Sequence, residues 1–154
     1  MFVLSNSEMI SVSGGLDGAA EGMCRAYVSN MGGIAAVAAG AAAIVVSNHG
    51  GRVLDFTPGA AEVLPAIAAR VKGKVIIFAD GGVRSGADVL KLLALGADAV
   101  LVGRPMVVAA FGGGREGVAL VLNQLKNELL QAMLLTGTAD VKQVPATILH
   151  NDGR

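Results

Sequence analysis

The chain has little charge and no excess of either sign. Lys and Arg number 12, Asp and Glu 12, and charged residues fill 16% of its 154 positions. Without a basic excess there is no electrostatic footprint for nucleic acid or an anionic membrane, and neither is expected as a partner. Cysteine occurs once, at Cys24, which excludes an internal disulfide and agrees with a reducing, cytoplasmic setting. The start, MFVLSNSEMI, lacks the positively charged head of a signal peptide. The longest uncharged apolar stretch, residues 31–46, is mostly Ala and Gly. It falls short of the roughly 20 apolar residues a spanning helix needs, and it reads as a buried helix followed by a buried strand.

What the chain has in quantity is apolar surface and glycine: 53% hydrophobic residues and 22 glycines. That composition is too apolar for disorder and sets the default at one domain. From residue 40 onward one unit recurs. AAAIVVSN (41–48), KVIIFAD (74–80) and DAVLVG (98–103) are short runs rich in β-branched residues and without alternation, as in strands buried on both faces. GAAEVLPAIAARV (59–71) sets Val63, Ile67 and Val71 at helical spacing, and SGADVLKLLALG (85–96) is a helix with a serine cap and a glycine stop. PMVVAAF opens a short helix with Pro105 in its first turn, and residues 116–137 form a long amphipathic helix ended by Gly137. Strand, loop and helix in repetition predict parallel strands with crossover helices, in a (β/α)8 barrel or an open doubly wound sheet. Residues 1–39 are less regular, with a strand expected at MISVSGG and a helix over LDGAAEGMCRAYVSN. Residues 141–154 read as a tail with a short helix.

Each clear strand ends in a polar loop: SNHGGR (47–52), DGGVRSG (80–86) and GRP (103–105). Ligands of parallel α/β folds bind at the carboxyl ends of strands, so all three loops share the ligand side. Gly81 and Gly82 let backbone N–H groups approach an anion. The helix from Ser85 offers its positive end, and Arg84 and Arg104 offer forked hydrogen bonds to phosphate oxygens. Tight turns with exposed arginines are the plainer alternative. His49, between glycines and beside Arg52, suits a general base because imidazole titrates near neutrality, and Arg52 suits a carboxylate. A loop histidine bonded to backbone stands as the other reading. Asp55 and Asp98 read as solvated or capping carboxylates. No metal site is expected, since His150 lies in the tail and Cys24 in the irregular start.

The stretches IVVSNHGGRVLDFTPGAAEVLP and FADGGVRSGADVLKLLALGADAVLVGRP resemble the FMN-dependent α-hydroxy-acid oxidoreductases, the family of glycolate and lactate oxidases. The resemblance runs from about residue 32 to residue 140. It implies the C-terminal part of a (β/α)8 TIM barrel, about its last three βα units, with residues 40–140 as a partial FMN-binding domain and 1–39 as an atypical N-terminal segment. It implies FMN as cofactor and oxidation of a small 2-hydroxy acid to the 2-oxo acid, with His49 as base and Arg52 on the substrate carboxylate. Asp80, Gly81, Gly82, Arg84, Gly103 and Arg104 fall in the loops where the family holds the ribityl chain and phosphate.

The chain also departs from the family. A whole barrel takes about 250 residues. The family's lysine near the flavin ring has no counterpart, since the first lysine is Lys72, and the carboxylate that orients the histidine is unmatched. The resemblance therefore implies a C-terminal portion with an altered start, little activity alone, and association with further copies of itself. Two alternatives remain open: a non-catalytic flavin- or phosphate-binding half-barrel, and an FMN-dependent isomerase-like fragment. The isomerase-like reading sits poorly with SNHGGR.

Overall fold

A computed structural model describes residues 2–4, 10–11, 23–26, 37–38, 40–52 and 56–150. Six strands form one sheet: β1 (Phe2–Leu4), β2 (Ile10–Ser11), β3 (Met23–Ala26), β4 (Ala43–Val46), β5 (Ile76–Ala79) and β6 (Ala99–Val102), in the order β2-β1-β6-β5-β4-β3. Strands β3 to β6 are mutually parallel, whereas β1 pairs with β6 antiparallel and with β2 antiparallel. The crossovers are α1 (Ala60–Val71) between β4 and β5 and α2 (Gly86–Ala94) between β5 and β6; α3 (Arg104–Thr136) follows β6. These are consecutive βα units of a barrel wall. A closed (β/α)8 barrel is parallel throughout, so the antiparallel β1 beside β6 leaves this sheet open.

The three strands legible in the sequence form as expected. Within residues 16–30, where a helix was expected, the described part is instead a strand, Met23–Ala26, in register with β4, Cys24 opposite Ile44 and Ala26 opposite Val46; the rest of that stretch lies outside the described residues. MCRA has little strand preference of its own. The pairing edge of β4 decides it, by supplying partners for backbone groups that must be satisfied somewhere. The strand Phe2–Leu4 was also not expected, while Ile10–Ser11 lies within the predicted MISVSGG.

Alternation along the parallel strands separates two faces. Ile44, Val46, Ile77, Ala79, Val100 and Val102 face the helices and pack with Leu64, Ile67 and Val71 of α1, Val89 and Leu92 of α2, and Met106, Leu122 and Leu125 of α3. Each such Ile, Leu or Val contributes about 1.5–3 kcal/mol by leaving water. Val45, Phe78, Ala99 and Leu101 form a second cluster on the opposite face. Two residues on from Phe78 and Leu101, the same row reaches Asp80 and Gly103 at the carboxyl edge.

The two helices expected after β6 form within the span Arg104–Thr136: a non-helical Gly114 (φ 54°, ψ −139°) separates them, and Gly137 in the left-handed region closes the second. Across the break Gly117 lies against the Ala109 carbonyl, so close that a Cβ has no room. Gly86, the first residue of α2, touches the backbone of α3 at Leu125, Glu128 and Leu129 with the same intimacy. The tail carries a 3-10 turn at Ala146–Ile148 where a short helix was expected.

Gly86→Ala should therefore cost about 1–3 kcal/mol or more by overpacking. Gly112→Ala, inside α3 with nothing within 4 Å of the added Cβ, should be neutral or stabilising by up to about 1 kcal/mol. Urea unfolding of the two variants checks the contrast, and equal midpoints would refute the close approach.

Candidate functional site

Parallel register brings the ends of β4, β5 and β6 to one edge, and the three loops that follow enclose a cleft of about 280 Å³. Its walls are His49, Gly50, Arg52, Asp80, Gly81, Gly82, Val83, Arg84, Leu101, Gly103, Arg104 and Pro105. All eight residues singled out from the sequence thus lie together: His49, Arg52, Asp80, Gly81, Gly82, Arg84, Gly103 and Arg104. Lys72 is far from them, at the opposite end of the strands, donating to the Gly96 carbonyl at 3.1 Å and pairing with Asp98 at 3.6 Å. Asp98 also accepts the Ile77 N–H at 2.9 Å, a structural role as expected. Asp55 lies outside the described residues, and among the described residues no cluster of His, Cys, Asp or Glu could hold a metal ion.

The first wall is a 3-10 turn, His49–Gly51, whose three residues all have positive φ: 53° at His49, 67° at Gly50 and 76° at Gly51. Glycine accepts this freely, whereas a histidine pays about 1–3 kcal/mol for it. Two neighbours hold the turn. The buried Ser47 hydroxyl accepts the His49 N–H at 3.1 Å, and Asn48 Oδ1 accepts the Gly50 N–H at 2.9 Å. Asn48 Nδ2 also donates to the Pro58 carbonyl at 3.4 Å. These supports were missed in the sequence, although an Asn before His-Gly-Gly is the pattern of an Asx turn. Arg52 Nε reaches back to the His49 carbonyl at 3.4 Å and stays exposed at the cleft mouth.

The second wall is the Asp80–Ser85 loop. The Asp80 N–H donates to the Val46 carbonyl at 3.2 Å, tying the loop's root to β4, while Asp80 Oδ1 is buried with no hydrogen-bond partner. A buried acceptor in that state costs free energy unless a donor reaches it. Gly81 and Gly82 follow with φ of 107° and 73°. A Cβ at Gly82 would meet open space, whereas one at Gly81 would meet Ala60 at 3.4 Å.

One expectation for this wall is overturned. The N-terminus of α2 does not present free amides to the cleft, because two carboxylates take them from behind. Asp88 Oδ2 accepts the N–H of Arg84 and of Ser85, both at 3.1 Å, and the Ser85 hydroxyl at 2.9 Å, while Ser85 Oγ accepts the Asp88 N–H. Glu128 Oε2, from α3, accepts the Gly86 N–H at 2.9 Å. Burial pushes the Asp88 carboxyl up, but the bonds from Arg84 and Ser85, with Lys91 nearby, outweigh it and hold the group below its ordinary value. The bond from Gln124, then that from Gly86, likewise lowers Glu128.

The open helix end is the third wall. Gly103 caps α3 without any side-chain cap bond, and Pro105 follows in its first turn. Arg104 projects there, its guanidinium 3.4 Å from where a Gly50 Cβ would stand, so the first and third walls meet. Among the described residues neither Arg84 nor Arg104 has an ion-pair partner. Two guanidiniums without an ion-pair partner, an uncapped helix start and left-handed glycines have the chemistry to receive an anion at one end of the cleft. The orphaned Asp80 acceptor suits a hydroxyl beside it, and His49 with Arg52 suits a proton and a carboxylate at the other end.

The FMN-dependent dehydrogenase family model matches residues 31–151. The chain is 47% identical over 103 residues to a 2-hydroxyacid oxidase of Dictyostelium discoideum, covering 67% of this chain and 26% of that protein. It is 50% identical over 101 residues to 2-hydroxyacid oxidase 1 of Homo sapiens, covering 66% and 27%. It is 53% identical over 98 residues to an L-lactate dehydrogenase of Xanthomonas campestris pv. campestris, covering 64% and 25%. A solved mandelate oxidase with benzoyl-formic acid superposes with a TM-score of 0.77 at 44% identity, over 80% of this chain and 37% of that one. A mandelate oxidase variant with a monooxide FMN adduct has the same TM-score of 0.77. The chain thus spans about a quarter of the length of the curated relatives it matches.

The Asp88 carboxylate gives a pH signature. Its folded pKa lies below 3.8, so its stabilisation is fully present above that value and is lost as pH falls through the folded pKa. Asp88→Asn should cost about 0.5–2 kcal/mol at neutral pH, as loss of a helix cap does. The gap to the parent chain should close in acid below the ordinary aspartate range. Urea midpoints measured across acid pH check this, and a pH-independent gap would contradict it.

Proposed function

The chain belongs to the FMN-dependent dehydrogenase family, and from that premise we propose that its cleft binds FMN and takes part in oxidising a small 2-hydroxy acid to the 2-oxo acid. The observation that carries this reading is the gathering of His49, Arg52, Asp80, Arg84 and Arg104 on one cleft from three separate loops. The residues present fit the cofactor's tail. Arg84, Arg104 and the uncapped start of α3 would hold its phosphate, Gly81, Gly82 and Gly103 let it approach backbone, and the buried Asp80 Oδ1 would accept a ribityl hydroxyl. When bound, the flavin supplies a two-electron acceptor.

The chain's own residues would do the rest. The Arg52 guanidinium forks onto the substrate carboxylate and fixes its orientation. The His49 imidazole takes a proton from the substrate and holds it as imidazolium. The left-handed turn, pinned through Ser47 and Asn48, fixes the backbone from which the ring projects. The chain covers about a quarter of its curated relatives, and the described cleft contains no lysine. The reading therefore assigns it the phosphate, base and carboxylate contacts, with little turnover by this chain alone. A half-barrel that binds flavin without chemistry is the second reading, and the lysine-free cleft favours it. No nucleic acid or membrane partner and a cytoplasmic setting belong to the proposal. So does self-association, through open edges at β2 and β3 and exposed Phe111, Leu134 and Leu135 on α3.

Arg104→Ala should weaken FMN about ten- to a hundredfold, the loss of a charged hydrogen bond worth about 1.5–3 kcal/mol. Unchanged affinity in a fluorescence titration would remove Arg104 from the site. In a full-length enzyme carrying this segment, His49→Gln should lower kcat with flavin still bound, and Arg52→Lys should mainly raise KM. Near-normal flavin reduction by the His49→Gln enzyme would assign the base elsewhere. Sedimentation of the chain should show a dimer or larger species, and a monomer would refute self-association.

A further inference from the structure

Arg84 and Arg104 stand on different loops, and an anion held by both requires a fixed spacing between them. The pairing of β5 with β6 ties the two walls at their roots, and a second connection is α3. It begins at Arg104 and lines the cleft with Arg104 and Pro105. Beyond the Gly114 break it returns to the rear of the other wall. There its backbone at Leu125, Glu128 and Leu129 rests directly on Gly86, which has no Cβ to keep it away. At the same point Glu128 Oε2 accepts the Gly86 N–H at 2.9 Å, across 42 residues of sequence. Gln124 Nε2 donates to the other carboxylate oxygen at 2.8 Å and so fixes the carboxylate's rotation. Arg84 is two residues from Gly86, and its own N–H is held by Asp88.

We propose that Glu128 is a positioning residue for the anion site: by holding the Gly86 N–H it sets the Asp80–Ser85 loop, and with it Arg84, relative to Arg104 at the start of α3, across the Gly114 break. This rests on the reading of the cleft as a phosphate site. Glu128 touches no ligand and acts through Gly86. Its carboxylate also takes the amide that would otherwise draw an anion to α2, which leaves the start of α3 as the favoured end.

The test is titration of the full chain and its variants with inorganic phosphate and with FMN, alongside thermal melts. Glu128→Ala should weaken both ligands about tenfold, the scale of one charge-assisted bond. Glu128→Gln keeps a carbonyl acceptor for Gly86, and Gln124 can turn its amide to match, so affinity should return to within about threefold of the parent. Gln124→Ala, a surface change that leaves Glu128 in place, should give a smaller loss in the same direction and guards against an unfolded Glu128→Ala chain. Glu128→Ala should also melt somewhat below Glu128→Gln, because it leaves the Gly86 N–H without its acceptor; a purely structural staple would lower stability without this affinity pattern. Unchanged affinity in Glu128→Ala and Gln124→Ala overturns the inference, as does equal loss in Glu128→Ala and Glu128→Gln. A parent chain that binds phosphate but not FMN sinks the flavin reading and leaves the comparison to be decided on phosphate. A parent chain that binds neither overturns both.

Discussion

The parallel register of β4, β5 and β6 is the constraint on which the cleft depends. Val46 stands opposite Ala79, and Ala79 opposite Val100. Because side chains alternate faces, a slip of one residue in β5 would turn Ile77 and Ala79 away from the helices and carry Asp80 with them. The slip is opposed from both sides. Ile44, Ile77 and Val100 are fully buried against the helices, and Val45 and Leu101 are nearly so on the opposite face. Beyond the strand ends, the Asp80 N–H to Val46 bond extends the same register by one residue. Loop chemistry here inherits its precision from apolar packing several residues away.

Charge is arranged around this frame in two layers. Carboxylates lie behind the second loop, where Asp88 and Glu128 consume the amides of Arg84, Ser85 and Gly86. Guanidiniums lie in front, on Arg52, Arg84 and Arg104. A chain of zero net charge thus carries a locally cationic cleft. The layering also decides between two helix ends. That of α2 is capped by its own protein, while that of α3 begins at glycine and proline, which offer no side-chain acceptor. An anion in the cleft meets side-chain competition at the first; at the second Pro105 has no N–H and the Met106 N–H bonds the Gly103 carbonyl, so the donors there are those of Arg104.

The sequence made the parallel units and the eight cleft residues legible because each rests on a local signal: a β-branched run, a glycine pair, a capping serine. What it hid was long-range. MCRA became a strand only through the edge of β4. The open end of α2 was misjudged because Ser85 and Asp88 spell a capping box whose second member removes the donors that the first advertises. The contribution of Glu128 lies 42 residues from Gly86, and no spacing rule joins them. The break between the two expected helices falls at Gly114, and FGGGREG offered three glycines without saying which would bend.

The two ends of the cleft differ in how they are held, and this bears on what the segment can do by itself. At the anion end every support is internal: Asp88, Glu128, the Gly86 contact and the buried root of Asp80 all come from the parallel units. At the other end His49 sits on a left-handed turn stabilised by two short-range bonds, with Arg52 exposed beside it. A phosphate needs charge and backbone donors at the right spacing, which one rigid wall supplies. A proton transfer needs the ring aimed from behind and the resulting imidazolium stabilised, which calls for a carboxylate on its far side. The observed supports therefore converge on the second wall, where the Asp88 cap, the Glu128 carboxylate and the close Gly86 contact hold one loop from three sides.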